Sequence, residues 1–176
     1  DLAFLALPQR AQRWRLQQKE RASHATLLEA MGHLMAGRFL RARKAAEQTL
    51  AKENLLREAG VTLDHAVSLR TFAHIMAAEA SHALQDKDKR QTHLEQALAQ
   101  TRSQGSPGPE RHALAEGVQL RAARWWLDDR DAQACLALLN ALPPAVGRRT
   151  AAMRLQLKAA RLAGQPAQAL ETATLL

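Results

Sequence analysis

Histidine offers this chain its most varied chemistry, because a neutral imidazole binds metal ions and transfers protons near neutral pH. The sequence contains seven histidines. No two of them stand three or four residues apart, which is the spacing that brings two imidazoles to the same side of a helix. His82 and His93 are the pair we expect to face each other across a helical hairpin. The pattern favours exposed or hydrogen-bonded histidines over a metal site.

The other reactive residue types also point away from catalysis. Cys135 is the single cysteine, so it can form neither an internal disulfide nor a cysteine-based zinc site, and nothing argues for an oxidising compartment. Its apolar neighbours predict a small core residue. The sequence has no Gly-rich phosphate loop and no G-x-S-x-G, H-E-x-x-H or C-x-x-C motif. We predict a non-enzymatic protein that binds no cofactor or metal.

Positive charge is concentrated at the beginning of the chain. The net charge is +8, and residues 1–44 supply +6 of it. Five cations follow the apolar segment Leu2–Leu7, and apolar followed by basic is the order typical of the cytoplasmic side of a membrane. Residues 1–21 are therefore predicted to form a juxtamembrane basic helix that contacts the inner leaflet; the alternative is a solvated helix face. The five cations are Arg10, Arg13, Arg15, Lys19 and Arg21.

Two further expectations follow from charge and from the chain ends. The isoelectric point of about 10.7 raises nucleic-acid binding as a possibility. The basic residues are confined to one end, however, and no aromatic stacking platform or binding motif accompanies them, so no nucleic-acid partner is predicted. The chain begins at Asp1 and ends at Leu176 inside an apparent helix, so we expect it to be a piece of a longer protein.

The composition predicts an all-α protein. The chain has few glycines and prolines, only 3% aromatic residues, and many strong helix formers. Apolar residues recur every three or four positions in eight segments, which pair into four helical hairpins with inter-repeat insertions at 51–61 and 101–109. Thr62 or Asp64 is expected to cap the second hairpin. The hairpins are predicted at about 22–50, 62–100, 110–142 and 148–176, with turns at Gly37, Gln85, Asp129 and Gly164.

The spacing and small residues of these hairpins are typical of tetratricopeptide repeats. The predicted turns are 48, 44 and 35 residues apart, against a repeat length of about 34. Small residues recur seven positions before and five positions after most turns, where helices of this motif touch. We predict a right-handed stack of tetratricopeptide-like hairpins over residues 22–176; the alternative is a generic helical bundle with alanine-rich interfaces. The residues at these two positions are Ala30, Ala78, Ala122 and Leu157, then Ala42, Arg90, Ala134 and Ala169.

A stack of this kind binds partners along the groove formed by the first helix of each hairpin. The register predicts that this groove is lined by Leu27, Met31, Leu34, Met35, Ile75, Glu79, His82, Gln119, Ala123, Trp126, Arg154, Lys158 and Arg161. The last three residues stack cations along one helix face, and residues 148–162 contain no acidic residue. This row of three cations is either a solvated surface or a binding site for an acidic partner, with Trp126 as an apolar anchor.

Several short segments, taken in order, resemble the HemY family of proteobacteria. They are Pro8-Gln9-Arg10, Leu27-Leu28-Glu29-Ala30 followed by Ala36-Gly37-Arg38-Phe39, then Ala77-Ala78-Glu79-Ala80 and His93-Leu94-Glu95-Gln96-Ala97. The resemblance covers residues 10 to 170. It concerns the membrane-anchored family and not the FAD-dependent protoporphyrinogen oxidase of the same name, because the chain lacks a G-x-G-x-x-G fingerprint.

The resemblance implies a location and a role. Members of the family are inner-membrane proteins with two N-terminal membrane helices and a cytoplasmic tetratricopeptide region, associated with haem (protohaem) biosynthesis. It implies that this chain is a cytoplasmic protein-interaction scaffold whose partners are haem-biosynthesis enzymes, and that more repeats follow residue 176. The alternative is direct binding of a tetrapyrrole, with basic groove residues holding its propionates. Neither the resemblance nor the residues supply a catalytic site.

Overall fold

The structure of the chain is a computed structural model. It describes the backbone of residues 2–102 and 109–176 and the side chains of residues 10–102 and 111–176. Those residues form helices and turns without any strand, which confirms the all-α prediction. The loop predicted from Ser103 onward lies outside the described residues. The helices are α1 (Leu2–Met35), α2 (Phe39–Glu58), α3 (Ala66–Ala83), α4 (Lys87–Arg102), α5 (Pro109–Asp128), α6 (Ala132–Asn140), α7 (Pro144–Gly147), α8 (Thr150–Leu162) and α9 (Pro166–Thr174).

The first two helices are longer than the sequence pattern indicated. Helix α1 runs without a break from Leu2 to Met35, so the boundary predicted after residue 21 falls inside one helix. Helix α2 continues to Glu58, and the insertion predicted at 51–61 is wrong over most of its length. The reason is that Glu53 and Leu56 continue the buried side of α2 for two turns beyond Thr49. The second hairpin begins at Ala66 after His65, which has a left-handed backbone, and neither Thr62 nor Asp64 caps it.

The chain divides into two compact units, Asp1–Ser103 and Gln104–Leu176. In the first unit, α3 packs against both α1 and α2, and α4 packs against α3. In the second unit, α8 packs against both α5 and α6, and α9 packs against α8. Each unit is therefore a pair of hairpins in which the first helix of the second hairpin covers both helices of the first. The continuous right-handed stack over 22–176 stays a prediction.

The four hairpins share one turn geometry. Each turn has a single residue with positive φ, followed by an N–H that donates to the carbonyl five residues earlier, for example Arg38 N to His33 O at 2.8 Å. The N–H of the positive-φ residue itself donates to the carbonyl three residues earlier, and together these bonds are the Schellman motif. The positive-φ residues, called turn residues below, are Gly37, Gln85, Arg130 and Gly164.

The turn residues correct the predicted register of the third hairpin by one position. The left-handed residue is Arg130 and not Asp129, so the last two turns are 34 residues apart. Seven positions before the turn, Ala123 is fully buried, as Ala30 and Ala78 are in the first two hairpins. Five positions after it comes Cys135, also fully buried, whereas the predicted Ala134 is only half-buried. Ala122 is buried as expected.

Ion pairs of Arg43 and Arg70 connect elements of the first unit. Arg43 of α2 donates to Asp86 at 2.8 Å, and the backbone N–H of Lys89 together with this guanidinium holds the pKa of Asp86 below its usual value. Arg70 of α3 donates to Glu53 of α2 at 2.6 Å and to Gln100 of α4 at 2.7 Å. Glu53 is 3% exposed, so its carboxylate depends on Arg70 for compensation of its charge.

Candidate functional site

The candidate site is the face of the first helix in each hairpin that corresponds to the predicted groove, which we call the first-helix face. Part of it is core, since Leu120 and Leu127 pack against the buried cluster of the second unit. Positions on it are defined by their distance before the turn residue. Because the four turns have the same hydrogen bonds, residues ten, six and three positions before each turn residue are equivalent in all four hairpins. Ten before, they are Leu27, Ile75, Leu120 and Arg154; six before, Met31, Glu79, Arg124 and Lys158; three before, Leu34, His82, Leu127 and Arg161.

In the second unit this face carries a cationic row. Arg154, Lys158 and Arg161 of α8 are all exposed, as the sequence predicted, and Arg124 of α5 is exposed at the position equivalent to Lys158. We define the cationic row as these four residues. In the part of the chain that the structure describes, none of their side chains forms a hydrogen bond or ion pair. On α5, Glu116 is paired with Arg149 at 2.9 Å, and Asp128 also has an interaction partner.

The predicted groove residues of the third hairpin are misplaced by the register error. Ala123 is fully buried in the core of the second unit, and Trp126 packs against that core while Trp125 is almost completely buried. Gln119 is half-buried and precedes the first-helix position by one residue. Sequence reasoning therefore missed Arg124. The turn is fixed by the hydrogen bond from Asp131 N to Trp126 O. The sequence did not reveal which residue takes the turn position, because Asp128, Asp129 and Asp131 are all residue types that favour turns.

In the first unit the first-helix face is mainly apolar, and part of it is core. Leu27 and Leu34 pack against the buried cluster that includes Ala30 and Met76, so they are not free to bind a partner. Met31 and Met35 are exposed, Met35 to 83%. Ile75 is half-buried, and Glu79 is half-buried with a polar partner of its own. Only part of the predicted groove is thus accessible here.

The histidines of the second hairpin pair differently from the prediction. His93 of α4 faces His74 of α3, with the two Nδ1 atoms 3.1 Å apart, and not His82. His82 lies 2.9 Å from the guanidinium of the buried Arg90, which replaces the small residue found five positions after the other turns. Glu47 of α2 lies 3.7 Å from His93 Nε2. One imidazole N–H donates to the other ring, so these histidines stabilise the packing of α3 on α4.

Burial determines the protonation of these groups. Desolvation, with further contributions from His93 and Arg70, lowers the pKa of His74 from 6.5 to about 4. Burial also lowers the pKa of His93, against the opposing effect of Glu47. Desolvation raises the pKa of the Cys135 thiol to about 11, so it is protonated and unreactive at neutral pH. Within the described residues, no three acidic, histidine or cysteine side chains are grouped so as to hold a metal ion.

The five cations predicted to contact a membrane are all exposed on α1, but they do not share one face. At about 100° per residue, Arg15 and Lys19 lie within roughly 40° of each other. Arg10, Arg13 and Arg21 lie on the opposite side of the helix. A helix lying flat on a surface can therefore present only one of these two groups to it. Among the described residues, no helix is both long enough and apolar enough to cross a membrane.

A cleft lies at the end of the fourth hairpin. It has a volume of about 580 Å³ and is lined by Arg161, the turn at Gly164, and the α9 residues Pro166, Ala169, Leu170 and Ala173. The lining is mainly apolar, with Leu170 69% exposed, and includes one member of the cationic row, Arg161.

Comparison with known proteins assigns no relatives to this arrangement. No protein-family model, curated protein or solved structure matches the chain. The resemblance to the HemY family therefore stays a prediction from the residues quoted above.

Proposed function

We propose that this chain is a protein-interaction module of tetratricopeptide-like hairpins that binds an acidic segment of a partner protein along the cationic row. The observation that carries the proposal is that Arg124, Arg154, Lys158 and Arg161 are exposed on equivalent faces of adjacent helices without acidic partners among the described residues. Unneutralised like charges repel one another, and an acidic ligand relieves that repulsion. A guanidinium group can also donate two parallel hydrogen bonds to one carboxylate.

The turns and packing support the repeat assignment. A 34-residue spacing between the third and fourth turns and buried small residues at fixed distances from most of the turns are typical of tetratricopeptide repeats. In both units the first helix of the later hairpin covers both helices of the earlier one, which is the nearest-neighbour packing of a repeat stack.

The biological setting of the proposal comes from the sequence resemblance. It places the module on the cytoplasmic side of a bacterial inner membrane, as a non-enzymatic scaffold for proteins of haem biosynthesis. The cationic row would then bind an acidic surface on one of these proteins.

The test is a charge-matched comparison of two triple variants. The first, Arg154→Gln, Lys158→Gln and Arg161→Gln, removes three charges of the cationic row; the second, Arg38→Gln, Arg41→Gln and Lys44→Gln, removes three exposed charges of the first unit. Binding of a fluorescent glutamate-rich peptide is followed by anisotropy at physiological salt. We expect the first variant to bind about tenfold more weakly, at up to about 1 kcal/mol for each exposed pair. Equal affinity of both variants refutes the proposal.

Partner recovery provides the biological arm of the experiment. The protein carrying either triple substitution is crosslinked in the cells that produce it, and crosslinks to α8 are identified by mass spectrometry. The proposal requires that the partners crosslinked to α8 are lost from the first variant and retained by the second.

A second candidate function rests on the cleft beside Arg161. A mainly apolar lining that includes one cation fits a flat apolar molecule that carries carboxylates, such as a tetrapyrrole with propionates. Titration of a porphyrin followed by its absorbance, with wild type and Arg161→Gln, separates this function from peptide binding.

A further inference from the structure

A second positively charged site lies in the first unit, between the middle of α1 and the end of α2. A cleft of about 230 Å³ is lined by Lys19, Ala22 and Ser23 of α1 and by Lys52, Leu55 and Leu56 of α2. This cleft was not predicted from the sequence, because α2 was expected to end near residue 50. It is made only by the additional turns of α2, which bring Lys52 and Leu55 beside the basic segment of α1.

The lining combines cations with an exposed apolar side chain. Leu55 is 66% exposed although it lies beside Leu56, which is buried. Lys19 and Lys52 line the cleft together with these leucines. Arg15 lies one turn before Lys19 on the same face of α1. Neither lysine nor Arg15 forms a side-chain hydrogen bond or ion pair with the residues that the structure describes. Glu53, the neighbour of Lys52 in sequence, is paired with Arg70, and Glu58 accepts a hydrogen bond from Asn54.

We propose that this face binds the surface of an anionic phospholipid bilayer, with the phosphates on Arg15, Lys19 and Lys52 and the side chain of Leu55 inserted among the headgroups. Charge complementarity selects a negative surface, and an exposed leucine surrounded by cations is the arrangement that interfacial helices present to lipid. A soluble polyanion satisfies the cations but leaves Leu55 in water. The structure therefore favours the bilayer.

The geometry of α1 makes the proposal specific. Arg10 and Arg13 point away from this face by roughly half a turn of the helix. With the cleft against a bilayer they stand about 10 Å farther from the phosphates, which is about one Debye length at physiological ionic strength. Their contribution to binding is then largely screened. Arg15 and Lys19 are thus expected to contribute more to membrane binding than Arg10 and Arg13, although both pairs carry the same charge and lie on the same helix.

The experiment measures sedimentation of the whole 176-residue chain with vesicles. The vesicles contain phosphatidylcholine alone or phosphatidylcholine mixed with phosphatidylglycerol. Lys19→Gln with Lys52→Gln is compared with Arg10→Gln with Arg13→Gln, and folding of each is checked by circular dichroism. We expect the first pair to lower the partition coefficient on anionic vesicles about 25-fold, at roughly 1 kcal/mol per cation, and the second pair to lower it less than about threefold.

Two additional variants keep the test decisive. Arg15→Gln with Lys19→Gln changes only exposed residues of α1, so it replaces the first pair if Lys52→Gln disturbs folding. Leu55→Ser is expected to weaken binding to anionic vesicles without altering net charge. Equal losses for the two cation pairs, equal binding to neutral vesicles, or no loss with Leu55→Ser overturns the proposal.

Discussion

Protonation of His74 is expected to destabilise the first unit in mild acid. The unfolded chain binds this proton with a pKa of 6.5, whereas the pKa of His74 in the folded chain is about 4. Between these values the unfolded state holds more protons, so the free energy of unfolding falls as the pH falls from about 6.5 toward 4.

The size of the effect follows from the two pKa values. With these values, the free energy of unfolding is lowered by about 2 kcal/mol at pH 5.0 and by almost nothing at pH 7.5. His74 is only partly buried, and solvent screening reduces the expected contribution to about 1 kcal/mol. The groups facing the histidine pair are Arg70 on α3, Glu47 and Arg43 on α2, and Lys89 on α4. Arg70 contributes to the lowering of the His74 pKa. Glu47 opposes the lowering of the His93 pKa.

The assay is urea unfolding followed by circular dichroism at pH 7.5 and pH 5.0. Wild type is compared with His74→Gln, which cannot take up the proton, and with His112→Gln, which removes an exposed histidine of α5. We expect the loss of stability between the two pH values to be smaller by about 1 kcal/mol in His74→Gln and unchanged in His112→Gln. If wild type and His74→Gln lose the same stability on acidification, the physical account of this histidine pair is incorrect.

Three further predictions concern stability and are checked by thermal or urea unfolding. Ala30→Leu is expected to cost about 1 to 3 kcal/mol by overpacking the α1–α2–α3 contact, whereas Ala25→Leu on the exposed side of α1 costs less than about 0.5; equal melting of the two variants contradicts the packing described. Gln85→Gly is expected to raise stability by roughly 0.5 kcal/mol, since glycine adopts the left-handed turn without strain, and a lower midpoint disproves this. Arg70→Met is expected to cost about 3 kcal/mol by leaving the buried Glu53 uncompensated, and a second substitution, Glu53→Met, should recover most of the loss; no recovery means that the ion pair is not the cause.

Helical class and hairpin number could be predicted because they depend on local signals. Apolar periodicity and turn glycines such as Gly37 and Gly164 act within a few residues, and the structure agrees with both. The third turn could not be located to the residue. Several polar residues compete there, and only tertiary packing places Arg130 in the left-handed conformation, with Cys135 rather than Ala134 in the core.

The site was predictable in part for the same reason. Exposure of Arg154, Lys158 and Arg161 follows from a helical spacing within one helix. The contribution of Arg124 depends on the turn register, and the cleft at Lys52 depends on how far α2 extends. The meeting of His74 with His93 joins two helices through side chains whose positions no local pattern encodes.

The packing of α3 on both α1 and α2 also sets an order for folding during synthesis. The buried cluster of the first hairpin, with Ala30, Ala45 and Ala46, is completed only by Met76 and Ala77 of α3. A ribosome adds about 5 to 20 residues per second, whereas helices form within microseconds. The first hairpin therefore waits for seconds with its alanine face in water until α3 emerges. During that interval the apolar face is accessible to chaperones. Synonymous codons that slow translation between residues 60 and 80 lengthen the interval.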